Sequence, residues 1–212
     1  MINQILTKEQ VDYLEEMMNI GAGNSATALE QLLQTKFEMH MPKIYVVPPQ
    51  KIFSIIGDPL ELISCVKMEL IGDVRGEMFF ITSEAMQAYI TQLAEHSAQI
   101  EKKDGGRPDN TVIEEIGNIL AGVYLTAIHD FCKLNIYHTI PLTAHDMAQA
   151  VLDETIARLG VDSHVLFVIV NAFSSPLQNQ LPVKTFLLII PSGDFEKVLL
   201  DSITGAMKIC GR

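Results

Sequence analysis

The 212-residue sequence has no tryptophan and few aromatic residues of any kind, with Phe, Trp and Tyr making up 7%. Basic residues are also scarce, because 15 Lys and Arg stand against 26 Asp and Glu, which gives a net charge of −11. A protein that binds phosphate backbones needs clustered Lys and Arg, so we expect no nucleic-acid partner. Hydrophobic residues nevertheless make up 48% of the chain, which is enough to fill a real core.

Cysteines and long apolar runs are few as well. Cys65, Cys132 and Cys210 are an odd number at unrelated spacings, which favours buried thiols in a reducing compartment over a disulfide framework. The first residues show neither the basic region nor the apolar region of a signal peptide. The longest apolar runs, near 165–170 and 186–191, are too short to span a bilayer. We therefore expect a cytoplasmic protein without membrane insertion.

The patterns of several common chemistries are missing. Four potential metal ligands lie close together in the sequence: His129, Cys132, His138 and His145. Their spacing matches no zinc pattern, so we expect no metal site. The glycines form no phosphate-cradling loop, and no nucleophile–histidine arrangement or cofactor fingerprint is visible. We expect no cofactor on this chain, and an unrelated small-molecule enzyme with a pocket between its halves stays open only as a third alternative.

Hydrophobic periodicity predicts alternating helices and strands in the first half. Thr7 and Gln10 have the spacing of a capping box at a helix start. Gly72 and Asp73 predict a hairpin turn, and Ser83 predicts a helix N-cap. The predicted elements are a helix at 7–35, strands at 43–47, 63–71 and 77–82, and a helix at 83–96. The charged, Gly-rich stretch 99–108 is the predicted linker.

After this linker the order repeats. The predicted elements are a helix at 109–131, an extended stretch at 134–142, a helix at 145–159, strands at 164–173 and 183–190, and a helix from Ser192. An offset of 99 positions aligns the first helices of the two halves and also places Pro42 on Pro141. The helix at 145–159 has no predicted counterpart and is the main mismatch.

We therefore predict one α/β domain, residues 1–212, built by internal duplication. The two repeats span about 7–98 and 109–208, each with an α-β-β-β-α-like order. Their mostly antiparallel strands are expected to share one continuous sheet around a pseudo-two-fold axis. The first helix of each repeat is expected to lie on the same face of that sheet.

One short motif occurs on both of these first helices. On the first helix it consists of Asp12, Glu16, Asn19 and Gly23, and on the second of Thr111, Glu115, Asn118 and Gly122. At 100° per residue each set falls within an arc of roughly 60°, which points roughly 130° away from the apolar stripe. A carboxylate and a carboxamide are therefore held side by side on the solvent face, beside a glycine that leaves room for another backbone.

A lone Glu-x-x-Asn on a helix is usually only a solvated face. Two copies at the same helical phase, each with a glycine four positions after the asparagine, are much less expected by chance. Duplication explains why the copies match without proving that either is active. Met17, beside the first copy, is predicted to fill a gap in the core, and a docking surface bordered by Met17 and Ile20 stays open as an alternative.

These residues resemble the paired motif of the CheC/CheX/FliY phosphatases. The resemblance rests on Asp12-x-x-x-Glu16-x-x-Asn19, with the run NIGAGNSATAL from Asn19, and on Glu115-x-x-Asn118. It covers nearly the whole chain, including the repeat, and two motifs in 212 residues favour the CheC type. The family usually has Asp or Ser at the first motif position, where the second copy has Thr111 and so keeps a hydroxyl.

The resemblance implies a phosphatase that removes the phosphoryl group from the aspartyl phosphate of a CheY-like response regulator in chemotaxis signalling. Asn19 and Asn118 would position the attacking water. Glu16 and Glu115 would pair with the active-site lysine of the receiver. The supporting positions would be Asp12, Gly23, Thr111 and Gly122. Mg²⁺ is expected on the receiver rather than on this chain.

A different reading is a non-catalytic adaptor. Such an adaptor would bind a receiver domain or a CheD-type deamidase, and the family resemblance makes CheD a candidate partner in either reading. An adaptor has no need of a paired carboxylate and amide in both copies, which favours the phosphatase. Because the internal repeat supplies the symmetry that a CheX-type dimer builds from two chains, we expect a monomer.

Overall fold

The computed structural model describes residues 7–35, 38–39, 43–48, 51–95, 110–159, 166–174, 183–192 and 194–209. The predicted linker at 99–108 lies outside these described residues, and so do positions 98 and 109, where the first predicted repeat ends and the second begins.

Fourteen elements are described along the chain. They are α1 (Lys8–Leu33), β1 (Glu38–Met39), β2 (Lys43–Val47), α2 (Phe53–Ile56), β3 (Leu62–Gly72), β4 (Arg75–Ser83), α3 (Glu84–Glu95), α4 (Asn110–Cys132), β5 (Ile136–His138), β6 (Leu142–Met147), α5 (Ala148–Leu159), β7 (Leu166–Ser174), β8 (Val183–Ser192) and α6 (Phe195–Ile209). The order helix, two strands, helix, two strands, helix therefore occurs twice. The expected mismatch is wrong, because α2 occupies in the first half the place that α5 holds in the second.

Local hydrogen bonds and backbone conformation set both ends of α1 and the start of α3. The Thr7 amide donates to Gln10 Oε1 at 2.8 Å, and the Gln10 amide donates to Thr7 Oγ1 at 3.2 Å, which confirms the capping box. α1 ends at Leu33, after which Gln34 adopts a left-handed backbone with φ 51°. The Met86 amide donates to Ser83 Oγ at 3.3 Å, so the predicted cap of α3 is also confirmed.

All eight strands of the described residues belong to one antiparallel sheet. Its central order is β1-β7-β8-β4-β3-β5, with β2 also on β7 and β6 also on β3. The short strands of each half therefore pair with the long strand of the other half. At the centre β4 lies against β8, with Phe80 opposite Leu187. The predicted continuous sheet is confirmed, and this reciprocal exchange gives it a pseudo-two-fold arrangement of the kind that an internal duplication would produce.

The segment 145–147 was predicted to begin a helix and is instead the end of β6. His145 lies opposite Ser64, and Met147 lies opposite Leu62, in the register of β6 with β3. The helix α5 begins only at Ala148. Pairing with a neighbouring strand has overridden the local helical tendency of these residues.

Side chains that alternate along the strands form one core on each face of the sheet. Val66, Met68 and Phe80 pack with α1, α3, α4 and α6 on one face. Cys65 and Phe79 pack with α2 and α5 on the other. The two motif helices thus lie on the same face, as predicted.

The helix α4 is long and apolar enough, by length and composition, to cross a membrane over Thr111–Cys132. In this fold 56% of that window is buried inside the protein. Its fully buried side chains Ile116, Leu120 and Tyr124 belong to the core between the sheet and the helices. This is the environment of a core helix.

Candidate functional site

The two motif helices pack against each other in antiparallel directions. The hydroxyl of Tyr13 on α1 donates to the carbonyl oxygen of Phe131 on α4 at 2.9 Å, and the two rings meet edge to face at 5.5 Å. Further along α1, Gly21 lies against Tyr124 and Ala127. Residue numbers therefore rise along one helix as they fall along the other.

This packing turns the two motifs away from each other. At 100° per residue, Asn19 lies about 160° around α1 from the contact residue Gly21, and Asn118 lies about 180° around α4 from Ala127. Since Gly21 faces the level of 124–127, the two asparagines are also about 14 Å apart along the helix axes at 1.5 Å per residue. The structure thus presents two separate candidate sites on the outer sides of the helix pair.

Each predicted site residue is accessible to solvent. The three carboxylate residues Asp12, Glu16 and Glu115 are exposed. The asparagines Asn19 and Asn118 are half-buried. A polar side chain that is anchored by its surroundings but still reaches the surface is suited to positioning a group on a partner.

Glycines on the motif helices fall into two kinds. A Cβ at Gly21 would lie 2.9 Å from the Tyr124 ring, and a Cβ at Gly117 would lie 3.0 Å from Val66, so packing within the fold requires both. At Gly23 and Gly122 a Cβ would meet nothing within 4 Å. Glycine inside a helix costs about 0.5–1 kcal/mol relative to alanine, and no contact with the described part of the chain accounts for that cost at the two motif positions.

A threonine follows each motif glycine by one turn. Thr27 Oγ1 donates to the Gly23 carbonyl oxygen at 3.1 Å, and Thr126 Oγ1 donates to the Gly122 carbonyl oxygen at 2.8 Å. In both copies a threonine hydroxyl thus makes the same hydrogen bond to the backbone of the motif glycine. The repeat of these two threonines at the offset of 99 positions is visible in the sequence and extends the predicted motif by one turn.

The two residues of the alternative docking surface differ in exposure. Ile20, next to Asn19, is 45% exposed and lies at the surface. Met17 is 1% exposed and belongs to the core, which confirms its prediction as a core residue and excludes the docking-surface alternative for it. At 100° per residue Met17 lies on the same side of α1 as Gly21, toward α4 rather than toward solvent.

The four clustered His and Cys residues do not converge on one point. Cys132 is buried in the core, and His145 Nε2 lies 3.2 Å from Glu84 Oε1 on α3. His129 and His138 instead line a groove on the outer side of α4. Within the described ranges no group of three or more His, Cys, Asp and Glu side chains is arranged to hold a metal ion.

That groove was not predicted. It has a volume of about 410 Å³ and is lined by Gly122, Leu125, Thr126, His129, Asn135, Ile136, Tyr137 and His138. One wall is the second half of α4 and the other is the segment around β5. Gly122 belongs both to the motif arc and to this groove.

The chain is similar in sequence to one known protein family. The CheC-like family model matches residues 9–46 and 112–142, which contain both Glu-x-x-Asn pairs. The chain is 33% identical over 199 residues to the CheY-P phosphatase CheC of Bacillus subtilis strain 168, covering 92% of this chain and 94% of that protein.

Solved structures share the fold at lower identity. FliY of Thermotoga maritima matches with a TM-score of 0.72 and 17% identity, covering 95% of this chain and 99% of that one. The FliM middle domain of H. pylori matches with a TM-score of 0.61 and 8% identity, covering 93% of this chain and 99% of that one. Likeness at these identities shows the fold alone, but the identity and coverage of the B. subtilis relative show more, and the chain belongs to the CheC family of chemotaxis proteins.

Proposed function

We propose that this protein hydrolyses the aspartyl phosphate of a phosphorylated CheY-type response regulator, with one site at Glu16 and Asn19 and another at Glu115 and Asn118. The B. subtilis relative, named a CheY-P phosphatase, supports the reaction. The observation that carries the proposal for this chain is the pair of motif glycines. Gly23 and Gly122 face open space beside each Glu-Asn pair, where the backbone of a docked receiver has room to approach.

The chemistry asks little of the phosphatase itself. In hydrolysis of an acyl phosphate, a water oxygen forms a bond to phosphorus as the bond to the aspartyl oxygen breaks. The Mg²⁺ and lysine of the receiver hold the phosphoryl oxygens, so the missing part is a water on the line of attack. A carboxamide oxygen that accepts a hydrogen bond from this water fixes its position, and no nucleophile is needed on the phosphatase.

Each residue of the pair has a separate task. Asn19 and Asn118 insert the carboxamide beside the phosphoryl group. Glu16 and Glu115, one turn earlier on the same face, pair with the lysine of the receiver and aim the helix. Ordering one water contributes about 2–3 kcal/mol, which corresponds to an acceleration of about a hundredfold.

A direct test follows the release of phosphate from a phosphorylated CheY-type receiver in Mg²⁺, with and without the protein. We expect acceleration by the wild type and none by the Asn19→Ala/Asn118→Ala variant, whose circular dichroism should match the wild type. Binding of the phosphorylated receiver without faster decay would overturn the proposal and support the adaptor reading. The same titration with a CheD-type deamidase tests the other partner of an adaptor.

We further propose that the protein acts as a cytoplasmic monomer. One chain already contains both motif helices in an antiparallel pair, so the two sites need no second subunit. Light scattering at micromolar concentration tests this proposal, and a stable dimer would contradict it.

A further inference from the structure

The face of α4 that carries the second motif continues beyond Gly122 into the groove. His129 lies seven residues after Gly122, about two turns, and therefore on nearly the same side of the helix. Leu125 and Thr126 fill the turn between them and line the same groove. A receiver whose backbone lies over Gly122 is therefore at the mouth of this groove.

The opposite wall is held in place by the hairpin between β3 and β4. The amide and the side-chain Nδ2 of Asn135 donate to Asp73 Oδ2 at 2.7 Å and 3.1 Å, and the Asp73 amide donates to the Asn135 carbonyl oxygen at 2.9 Å. These three bonds fix the segment that leads into β5. The groove is thus a preformed feature of the fold.

The lining has an apolar floor and two oriented imidazoles. Leu125 and Ile136 are buried, whereas Tyr137 presents its ring with 62% exposure. The Nδ1 atoms of His129 and His138 each lie 3.0 Å from a backbone carbonyl oxygen, of Leu134 and Thr139 respectively. A carbonyl only accepts, so Nδ1 carries the proton, and in the neutral ring Nε2 is left as an acceptor. Such a groove fits an apolar side chain that ends in a hydrogen-bond donor.

The first half of the chain has different residues at the corresponding positions. The offset of 99 places Ala26 where the second half has Leu125, Glu30 where it has His129, and Glu38 where it has Tyr137. The fold therefore does not require the apolar and imidazole lining. The difference distinguishes the surroundings of the second motif from those of the first.

We infer that this groove is a second docking point for the receiver engaged at Glu115 and Asn118, and that it makes the second site the tighter-binding of the two. The groove takes from the receiver an apolar side chain with a donor group at its end. This inference rests on the proposed function, because the occupant is the same receiver. Its physical basis is the continuity of the groove with the motif arc through Gly122.

The test separates the two sites by inactivating one at a time. Tyr137→Glu, which introduces the residue found at the corresponding position of the first half, is made in the Asn19→Ala and in the Asn118→Ala background. With only the second site active, KM for the phosphorylated receiver should rise about tenfold, equivalent to about 1.4 kcal/mol, while kcat changes less than about twofold. With only the first site active, both constants should stay unchanged.

Two matched variants control for folding and for loss of an apolar surface. Tyr137→Phe keeps the ring and should behave as the wild type. Ile140 is 84% exposed and lies three residues further on, and it does not line the groove. Ile140→Glu should leave KM unchanged. An equal rise in KM for Ile140→Glu and Tyr137→Glu, or an unchanged KM for Tyr137→Glu at the second site, would overturn the inference.

Binding to a beryllofluoride-loaded receiver distinguishes this inference from the proposed function. This form mimics the phosphorylated receiver and needs no turnover, so calorimetry reports docking alone. If the wild type binds but does not hasten dephosphorylation, the proposed function fails, and the groove is upheld only if Tyr137→Glu weakens the tighter binding event about tenfold. If the wild type does not bind, both fall.

Discussion

Gly21 of α1 lies so close to the ring of Tyr124 of α4 that a Cβ on the glycine would come within 2.9 Å of Tyr124 Cδ1. Tyr124 is fully buried, so its ring has little freedom to move away. At the offset of 99 positions the small Gly21 corresponds to the large Leu120, and the large Tyr124 corresponds to the small Ser25. The pair that corresponds to Gly21 and Tyr124 is thus Leu120 and Ser25, so the two halves do not repeat this contact with the same residues.

This contact makes Gly21→Ala destabilising. A methyl group against a fixed ring is overpacking, which costs about 1–3 kcal/mol and outweighs the gain in helix propensity. Urea unfolding followed by circular dichroism measures the free energy of unfolding. Gly23→Ala, two residues away on the outer face, is the matched control and should be stabilising. A Gly21→Ala variant as stable as Gly23→Ala would contradict the close contact.

The motif glycines should behave in the opposite way. Gly23→Ala and Gly122→Ala should each raise the free energy of unfolding by about 0.5–1 kcal/mol, because a Cβ at either position meets no atom of the described residues within 4 Å. Combined, they should nevertheless lower kcat/KM for the phosphorylated receiver about tenfold, since the added methyl groups occupy space that the receiver needs.

Gly205 on α6 provides the control for this prediction. A Cβ there also meets nothing within 4 Å among the described residues, and Gly205 belongs to neither motif helix. Gly205→Ala should therefore stabilise the protein by a similar amount and leave kcat/KM unchanged. An active Gly23→Ala/Gly122→Ala variant would show that these glycines do not make room for a partner.

The buried thiols make stability depend on pH in the alkaline range. Burial raises the pKa of Cys65 and of Cys132 from 9.0 to about 12. Between pH 9 and 12 the unfolded state therefore binds fewer protons than the folded state, so stability is lost as the pH rises. Each thiol contributes up to about 1.4 kcal/mol per pH unit.

The measurement is the free energy of unfolding at several pH values from about 8 to 10.5, for the wild type and for Cys65→Ala/Cys132→Ala. The variant has a lower overall stability because it loses buried volume. Its stability should nonetheless fall less steeply with pH than that of the wild type. Parallel slopes would show that the two thiols ionise equally well in the folded and unfolded states.

The first motif position differs between the two copies, with Asp12 in one and Thr111 in the other. If a polar group at this position only supports the pair that follows, Asp12→Thr should retain activity. In the Asn118→Ala background its rate should stay within about threefold, a difference of less than about 0.7 kcal/mol. Loss of activity in this variant would indicate that the carboxylate has a role the threonine does not share.

Local signals predicted the elements whose ends depend on nearby residues. The capping box at Thr7 and the N-cap at Ser83 rest on bonds between residues three apart, and both were correct. The segment 145–147 was misassigned, because its strand structure depends on pairing with β3, more than eighty residues earlier. The short helix α2 was missed since four residues show too little periodicity to be recognised.

At the candidate site, too, the features within one helix were predicted and those that depend on contacts between elements were not. The arc of Glu16 and Asn19 followed from helical geometry alone, and so did the matching arc on α4. The opposed directions of the two motifs did not, because they depend on contacts such as Gly21 with Tyr124. Nor did the groove, whose walls come from α4 and β5 and are joined through Asp73 and Asn135. Sequence periodicity describes one helix at a time and carries little information on how two elements meet.

The central claim is that both Glu-Asn pairs are active, each on its own side of the helix pair. The most direct measurement is the rate of phosphate release from a saturating phosphorylated receiver with the wild type, Asn19→Ala, Asn118→Ala and the double variant. The account predicts that each single variant keeps part of the acceleration, that the two residual accelerations add up to that of the wild type, and that the double variant has none. Complete loss in one single variant, or acceleration that survives in the double variant, would contradict it.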